Sequence, residues 1–376
     1  MTKPLLAVAA AVVLAPLTAQ AQVTQWRIVK GPAYQQTLDN TPATSASSWS
    51  VGVYLDTFDP ADATSVTVAG GGIAGSLPLV LEDGEWALEL DYASKAAMDA
   101  QFPSSSAYTI TVSGGTLGTL VQPLIYSTEA YPNIPFLTGT GLTDSLSVAP
   151  QSPFVLGWSN PGPFTQTNGV TILEVYDLVT DDSAFFDFTV GVSTGTVIPG
   201  CTLDSSTSYD GFLEFTHAII APGAGGFGID GLTAHNTALD FVLTSIAGPT
   251  SMEVVRLGTP PNPNALLPGQ TSGPVIGQVW DPVIDHSSFA PAAAIDLVFI
   301  DFGGPINVPL GGSLGTLLCS VPAGPLIFTG APGAAFGVAF PDECVLVGLP
   351  ACSQGASVGL AGIELTNALD LVIGMP

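Results

Sequence analysis

Glu85-Trp86-Ala87-Leu88-Glu89-Leu90-Asp91-Tyr92 is the stretch on which the fold reading turns. Trp86, Leu88, Leu90 and Tyr92 fall on one side of a two-residue repeat. Glu85, Ala87, Glu89 and Asp91 fall on the other. That is the period of a strand with one buried face and one wet face. The repeat recurs upstream, where Trp49, Val51, Val53 and Leu55 alternate with Ser48, Ser50, Gly52 and Tyr54. It recurs downstream, where Tyr108, Ile110 and Val112 alternate with Thr109 and Thr111. Between the last two, residues 94–102 read as a short helix with Ser94 as its N-cap and Pro103 as its stop. Asp59-Pro60, the Gly70 to Gly72 run, Asp83-Gly84 and Gly114-Gly115 supply the turns. Residues 22–125 are therefore expected to form one β-sandwich.

Pro132 and Pro135 mark a linker that opens a second segment, 126–250. Phe154, Leu156 and Trp158 alternate there, and a strand pair flanks Asp181-Asp182. The spacing Leu203-x-x-x-Thr207-x-Tyr209, just before Phe212, Glu214 and Phe215, resembles the E–F corner of fibronectin type III domains. Trp158 stands where such domains place an early core tryptophan. The resemblance implies an Ig-like sandwich with a tyrosine hydroxyl tied to nearby backbone. In the third segment, 251–376, residues 256–274 are rich in Pro, Asn and Gly and read as an extended linker. Beyond it come Ile276 to Pro282, Ile295 to Asp301, Gly315 to Cys319, Cys352 to Gly355 and the closing run Gly362-Ile363-Glu364-Leu365-Thr366-Asn367-Ala368-Leu369-Asp370-Leu371-Val372-Ile373-Gly374. This order resembles the β-rich C-terminal module that closes many secreted proteins of planctomycete-type bacteria, which implies export and no particular reaction. Asn236-Thr237-Ala238-Leu239-Asp240-Phe241 echoes Asn367-Ala368-Leu369-Asp370-Leu371, and each reads as the last strand of a domain. The fold class is all-β: tandem Ig-like or fibronectin-III-like sandwiches over 22–125 and 126–250, followed by a C-terminal β-sandwich-like module.

Charge narrows the function. The chain holds 5 Lys and Arg against 31 Asp and Glu, a formal charge of −26, while 47% of residues are hydrophobic. The acidic residues are spread along its length without a block. Such a surface repels phosphate backbones, which argues against nucleic-acid binding, and offers no polybasic patch to anionic lipid. Met1-Thr2-Lys3, the apolar Leu5 to Leu17 and Ala19-Gln20-Ala21 have the layout of a secretory signal peptide over residues 1–21. With it removed, the remaining cations are Arg27, Lys30, Lys95 and Arg256. No later apolar run is long enough to span a bilayer, so no membrane insertion is expected after cleavage. The expected location is extracellular or at the cell surface.

Four cysteines suit an oxidising compartment. Cys201 stands apart from Cys319, Cys344 and Cys352, and a bridge local to the C-terminal segment is either Cys319–Cys352 or Cys344–Cys352. No CxxC spacing points to metal or redox work.

The candidate chemistry is thin. Gly-x-Ser-x-Gly occurs at Gly191 to Gly195 and at Gly311 to Gly315, but neither copy is followed by the helix that a nucleophile elbow requires. His217, His235 and His286 are far apart, without metal spacing, and read as solvated or hydrogen-bonded surface residues. Glu85 and Glu89 share a strand face, roughly 13 Å apart at four residues' separation, too far to act as a glycosidase pair alone. Asp56, Asp59 and Asp62 form an acidic loop that reads as a calcium site, with Asp181-Asp182 as a second candidate; no other cofactor is expected. The function expected is that of a secreted, non-enzymatic structural or adhesive protein whose partners are cell-surface or matrix components, including glycans. The rivals are a carbohydrate-binding module and a secreted hydrolase. Exposed Trp or Tyr would favour the first; an Asp or Glu pair, or Ser with His, gathered in a cleft would favour the second.

Overall fold

The computed structural model describes residues 23–57, 59, 62–82, 84–115, 117–162, 168–221, 231–311, 314–320 and 325–376. The leader over 1–21, Pro60, Asp83 and Ser313 of the second Gly-x-Ser-x-Gly lie outside the described residues. The described chain is all-β, as expected, with two short α-helices. It divides into two compact units.

The first unit takes the chain up to Ser147, then Val155–Ile198 and Ser208–Thr244. Its strands are β1 (Val23–Gln35), β2 (Ser48–Thr57), β3 (Ser65–Gly70), β4 (Ser76–Glu82), β5 (Glu85–Tyr92), β6 (Ala107–Gly114), β7 (Gly118–Ile125), β8 (Phe154–Gly157), β9 (Gly169–Asp177), β10 (Ser183–Val190), β11 (Gly195–Ile198), β12 (Ser208–Ala221) and β13 (Gly231–Thr244). Helix α1 (Lys95–Gln101) follows β5 and α2 (Gly141–Ser145) precedes β8. Eleven strands form one hydrogen-bonded order, β10-β9-β12-β13-β1-β2-β5-β4-β3-β6-β7. β4 carries the ladder across a fold, because its Leu81 pairs with Trp86 while its Leu79 pairs with Val66. The two layers close on a common core. Trp26, Ile28, Val51, Val53, Leu55 and Trp86 face Val66, Val68, Tyr108, Ile110, Val112 and Leu124. The alternation read around residue 88 thus points inward as expected, and α1 closes one end with Met98 and Phe102 in the same core. Ser94 caps α1, its Oγ accepting from the Ala97 N–H at 3.2 Å. Gly71, at φ 54°, makes the β3–β4 turn; a Cβ there would lie 2.6 Å from the Tyr108 hydroxyl.

The expected boundary at 125/126 is not a boundary between the units. The reason is β1. It pairs antiparallel with β2 of its own segment and parallel with β13, with Lys30 opposite His235, so segments 22–125 and 126–250 share one sheet. A central strand flanked on both sides carries a near-continuous buried run and lacks the alternation that marks a half-wet strand.

The second unit comprises Val148–Phe154, Pro199–Thr207 and Ser245–Pro376. Its strands are β14 (Met252–Arg256), β15 (Leu266–Leu267), β16 (Val279–Trp280), β17 (Val283–Ile284), β18 (Ala293–Asp301), β19 (Pro305–Pro309), β20 (Thr316–Cys319), β21 (Leu326–Gly330), β22 (Val338–Ala339), β23 (Pro350–Gly359) and β24 (Gly362–Val372). The main sheet runs β14-β24-β23-β18-β21, and Trp280, Ile284, Val298, Ile300, Phe340 and Leu369 build its core. The stretch 256–274 is not a free linker. Arg256 is in β14, β15 pairs with β17, and Asn262 donates to the carbonyls of Thr316 and Thr366 at 2.7 Å each. Side-chain amides here satisfy backbone groups that no ladder reaches. The two echoing segments lie in β13 and β24, each the last strand of its unit.

Candidate functional site

Lys30 occupies a core position. β1 turns Trp26, Ile28 and Lys30 to one face, and the first two are core residues, so the ammonium arrives where a third apolar side chain would sit. Its side chain is 0% exposed. Nζ donates to Asp99 Oδ1 of α1 at 2.9 Å and to the Phe102 carbonyl at 3.1 Å. It lies 5.3 Å from the Tyr126 ring centroid and 3.9 Å from Glu129 Oε1. Lys95, one turn before Asp99, donates to Asp99 Oδ2 and to Glu129 Oε1. Two amines and two carboxylates thus form a closed cluster, graded from the buried Lys30 to the half-exposed Lys95 and Glu129.

Burial pushes the Lys30 pKa down, outweighing the pull of Asp99. Burial acts the same way on Lys95, but bonds from Asp99 and Glu129 outweigh it and leave that amine raised. Burial pushes Asp99 upward, yet the bonds from Lys95 and Lys30 hold it below the ordinary carboxylate range.

His235 lies in the adjacent row. It is fully buried, its ring meeting the edges of Tyr126 at 5.1 Å and Tyr131 at 4.9 Å. Among the described residues, neither ring nitrogen has a hydrogen-bond partner, nor does the Tyr131 hydroxyl. Desolvation first, then the nearby Lys30, lowers the His235 pKa to about 3, so it is neutral at physiological pH. The expectation of a solvated or hydrogen-bonded histidine is corrected here: the β12–β13–β1 ladder carries the ring indoors.

The opposite face of β1 holds Arg27, which is buried. Its guanidinium reaches Asp56 Oδ2 at 2.9 Å and Glu85 Oε1 at 2.6 Å, and lies 4.6 Å from the Tyr54 ring centroid. Burial raises the Glu85 pKa against the pull of Arg27, with Asp56 adding to the rise. Asp56 is therefore a partner of Arg27, and Asp62 Oδ2 accepts from the Asp59 N–H at 3.3 Å. Asp56, Asp59 and Asp62 do not converge: among the described residues no three His, Cys, Asp or Glu gather as a group that could hold a metal ion. Residues 58, 60 and 61 of that loop lie outside the described residues. In the other candidate, Asp177 Oδ1 ties the turn by accepting from the Val179 and Thr180 N–H groups, and Asp181 and Asp182 point outward. Glu85, expected on a solvated face, is half-buried under Arg27.

In the second unit Arg256 makes a clasp. Nε and Nη2 donate to Asp370 at 2.9 Å, while Nη1 and Nη2 reach the carbonyls of Ile306 and Leu318 at 2.9 Å. Asn367 brackets Leu266, its Oδ1 accepting from the Leu266 N–H at 2.7 Å and its Nδ2 donating to that carbonyl at 2.9 Å. Thr366 ties both backbone groups of Gly355. The polar residues of the closing run are thus architectural. His286 Nε2 lies 2.9 Å from Asp296 Oδ2, Ser357 Oγ donates to Asp296 Oδ1 at 2.7 Å, and the Gly333 N–H reaches Oδ2. The Asp296 carboxylate stands between the hydroxyl and the imidazole, so Ser357 meets the carboxylate and not His286. Ser193 of the first Gly-x-Ser-x-Gly contacts Gly195 in a turn leading into β11, with no helix following.

Both disulfides are in the second unit: Cys319–Cys352 and Cys201–Cys344. The first is one of the two expected alternatives. Cys344–Cys352 is corrected, because residues 199–207 belong to the second unit and bring Cys201 to Cys344 across 143 positions.

All five Trp and all eight Tyr are described, and none is exposed; Trp49, Tyr92, Tyr131 and Tyr176 are half-buried and the others are buried. Leu203 falls in the second unit and Tyr209 in the first.

No protein-family model matches the chain, and no curated protein does. Among solved structures it is similar to the FN1–FN3 domains of chicken CNTN1, with 8% identity and a TM-score of 0.18, covering 94% of this chain and 99% of that one. A superposition that loose carries no argument about fold or role. Among the described residues, no helix is long and apolar enough to cross a membrane.

Proposed function

We propose that the protein is an exported, non-catalytic structural or adhesive component of the cell surface or extracellular matrix. The observation that supports this best is that its chemically active groups are engaged in its own architecture. The four cations outside the leader are all in ion pairs, the four cysteines are all in disulfides, and Thr366 and Asn367 of the closing run bond backbone. Disulfides of this kind persist in oxidising compartments. The leader-like N-terminus and the resemblance of the last segment to a terminal module of secreted proteins point the same way, with matrix or surface components as partners.

The withdrawal of Trp and Tyr from the surface weighs against the carbohydrate-binding rival, because sugar faces stack on exposed rings. A glycan array on the purified protein, with and without calcium, tests the reading. Silence in both conditions is expected. Specific sugar binding would replace the structural role with a lectin-like one, and calcium dependence would reopen the acidic loops as sites.

A further inference from the structure

We propose that Lys30 and Asp99 condense into an intramolecular amide that cross-links β1 to α1. The amine and the acid are already in contact, 2.9 Å from Nζ to Oδ1, and the Lys30 side chain is 0% exposed. An amine hydrogen-bonded to one carboxyl oxygen lies near the roughly 3–3.5 Å separation from the carboxyl carbon that defines a near-attack geometry. Intramolecular pairs so held reach effective molarities of about 10⁵–10⁸ M, which accelerates condensation over the same reaction between free groups in water.

The proton count permits the step. The ammonium–carboxylate pair and its neutral tautomer, amine with carboxylic acid, hold the same protons. From the neutral pair, the Nζ lone pair attacks Cγ of Asp99. The Nζ–Cγ bond forms, the Cγ–Oδ1 bond breaks, and Oδ1 leaves as water with the carboxyl proton and one amine proton. One hydrogen remains on the amide nitrogen, and the Phe102 carbonyl, 3.1 Å from Nζ, is placed to accept it. No oxidant or activating group is needed.

The neighbours divide the remaining work. Glu129 Oε1, 3.9 Å from Nζ, is placed to relay the amine proton to the departing oxygen. Lys95, bonded to Oδ2, stabilises the negative charge that grows there in the tetrahedral intermediate. Burial disfavours the charged form of Lys30, whereas Lys95 is half-exposed and raised in pKa. The same contrast explains why Lys30 attacks and Lys95 does not. This inference goes beyond the structural role proposed above and does not depend on it.

The test is the intact mass of the purified, reduced and denatured protein, followed by proteolytic mapping. The expected result is a mass one water below that of the sequence, with the fragments containing Lys30 and Asp99 linked. Asp99→Ala should restore the water in full, and Glu129→Gln should restore it wholly or slow its loss. A wild-type mass equal to that of the sequence would overturn the proposal and leave an ion pair. Loss of water that persists in Asp99→Ala would overturn the assignment of the bond to these residues.

Discussion

Replacing Arg256 by Met removes the clasp of the second unit without emptying its space. The side chain is 23% exposed and that of Asp370 36%, so the Coulomb part is discounted for solvent screening. What remains is mostly hydrogen bonding. Arg256→Met leaves the carbonyls of Ile306 and Leu318 without their donor and Asp370 without its cation. Each buried group left unsatisfied costs about 1–3 kcal/mol, which places the variant at about 3–5 kcal/mol. Asp370→Leu leaves Arg256 its two carbonyl acceptors, and about 1–2 kcal/mol is expected. In the double variant the costs are less than additive, because the pair is lost only once. Hydrogen–deuterium exchange read on peptides from β14 and β24, with urea unfolding alongside, measures all three. If Arg256→Met exchanged like the wild type, or Asp370→Leu proved the costlier change, the clasp would not hold the unit in the way described.

Other outcomes follow from the same structure. Chain entropy makes a bridge across 143 positions worth about 5 kcal/mol and one across 33 about 3.7 kcal/mol, so Cys201→Ala/Cys344→Ala should lower the urea midpoint more than Cys319→Ala/Cys352→Ala. For His286, burial lowers the pKa but the bond from Asp296 outweighs it and leaves it raised. Its stabilisation is therefore fully present below the unfolded value near 6.5 and lost as pH rises through the raised folded value, and the midpoint difference between wild type and His286→Gln should shrink as pH rises above about 6.5. His235 behaves oppositely: with a folded pKa lowered to about 3, its contribution is kept above about 6.5 and lost as pH falls. His235→Phe, which sacrifices no hydrogen bond and keeps a ring between Tyr126 and Tyr131, should be neutral or stabilising at pH 7 and should flatten the acid limb of stability against pH.

Much of the first unit was legible from residue order because its strands are wet on one face. Trp86, Leu88 and Leu90, and likewise Val51, Val53 and Leu55, alternate as a half-buried strand must, and Ser94 and Pro103 bracket α1 with local chemistry. β1 was illegible for the converse reason. Covered on both sides by β2 and β13, it carries Trp26-Arg27-Ile28-Val29 without a polar face, and its parallel partner lies some two hundred residues away. The boundary at 125/126 failed with it, since turn signals punctuate strands and do not say which strands pair.

The candidate site was missed although a signal existed: a lysine falls in the next slot after Trp26 and Ile28, in a chain with few cations. The spacing of the acidic loop does not show that Asp56 pairs with Arg27. The closing run was recognisable as a pattern, and the structure gives its reason: Thr366, Asn367 and Asp370 each hold a particular backbone group or cation.

The most direct test of the structural, extracellular account is to fractionate the native cells and map the cysteines of the recovered protein without prior reduction. The account predicts recovery from the surface or matrix fraction with Cys201–Cys344 and Cys319–Cys352 both closed. Recovery from the cytoplasm with four free thiols would contradict it.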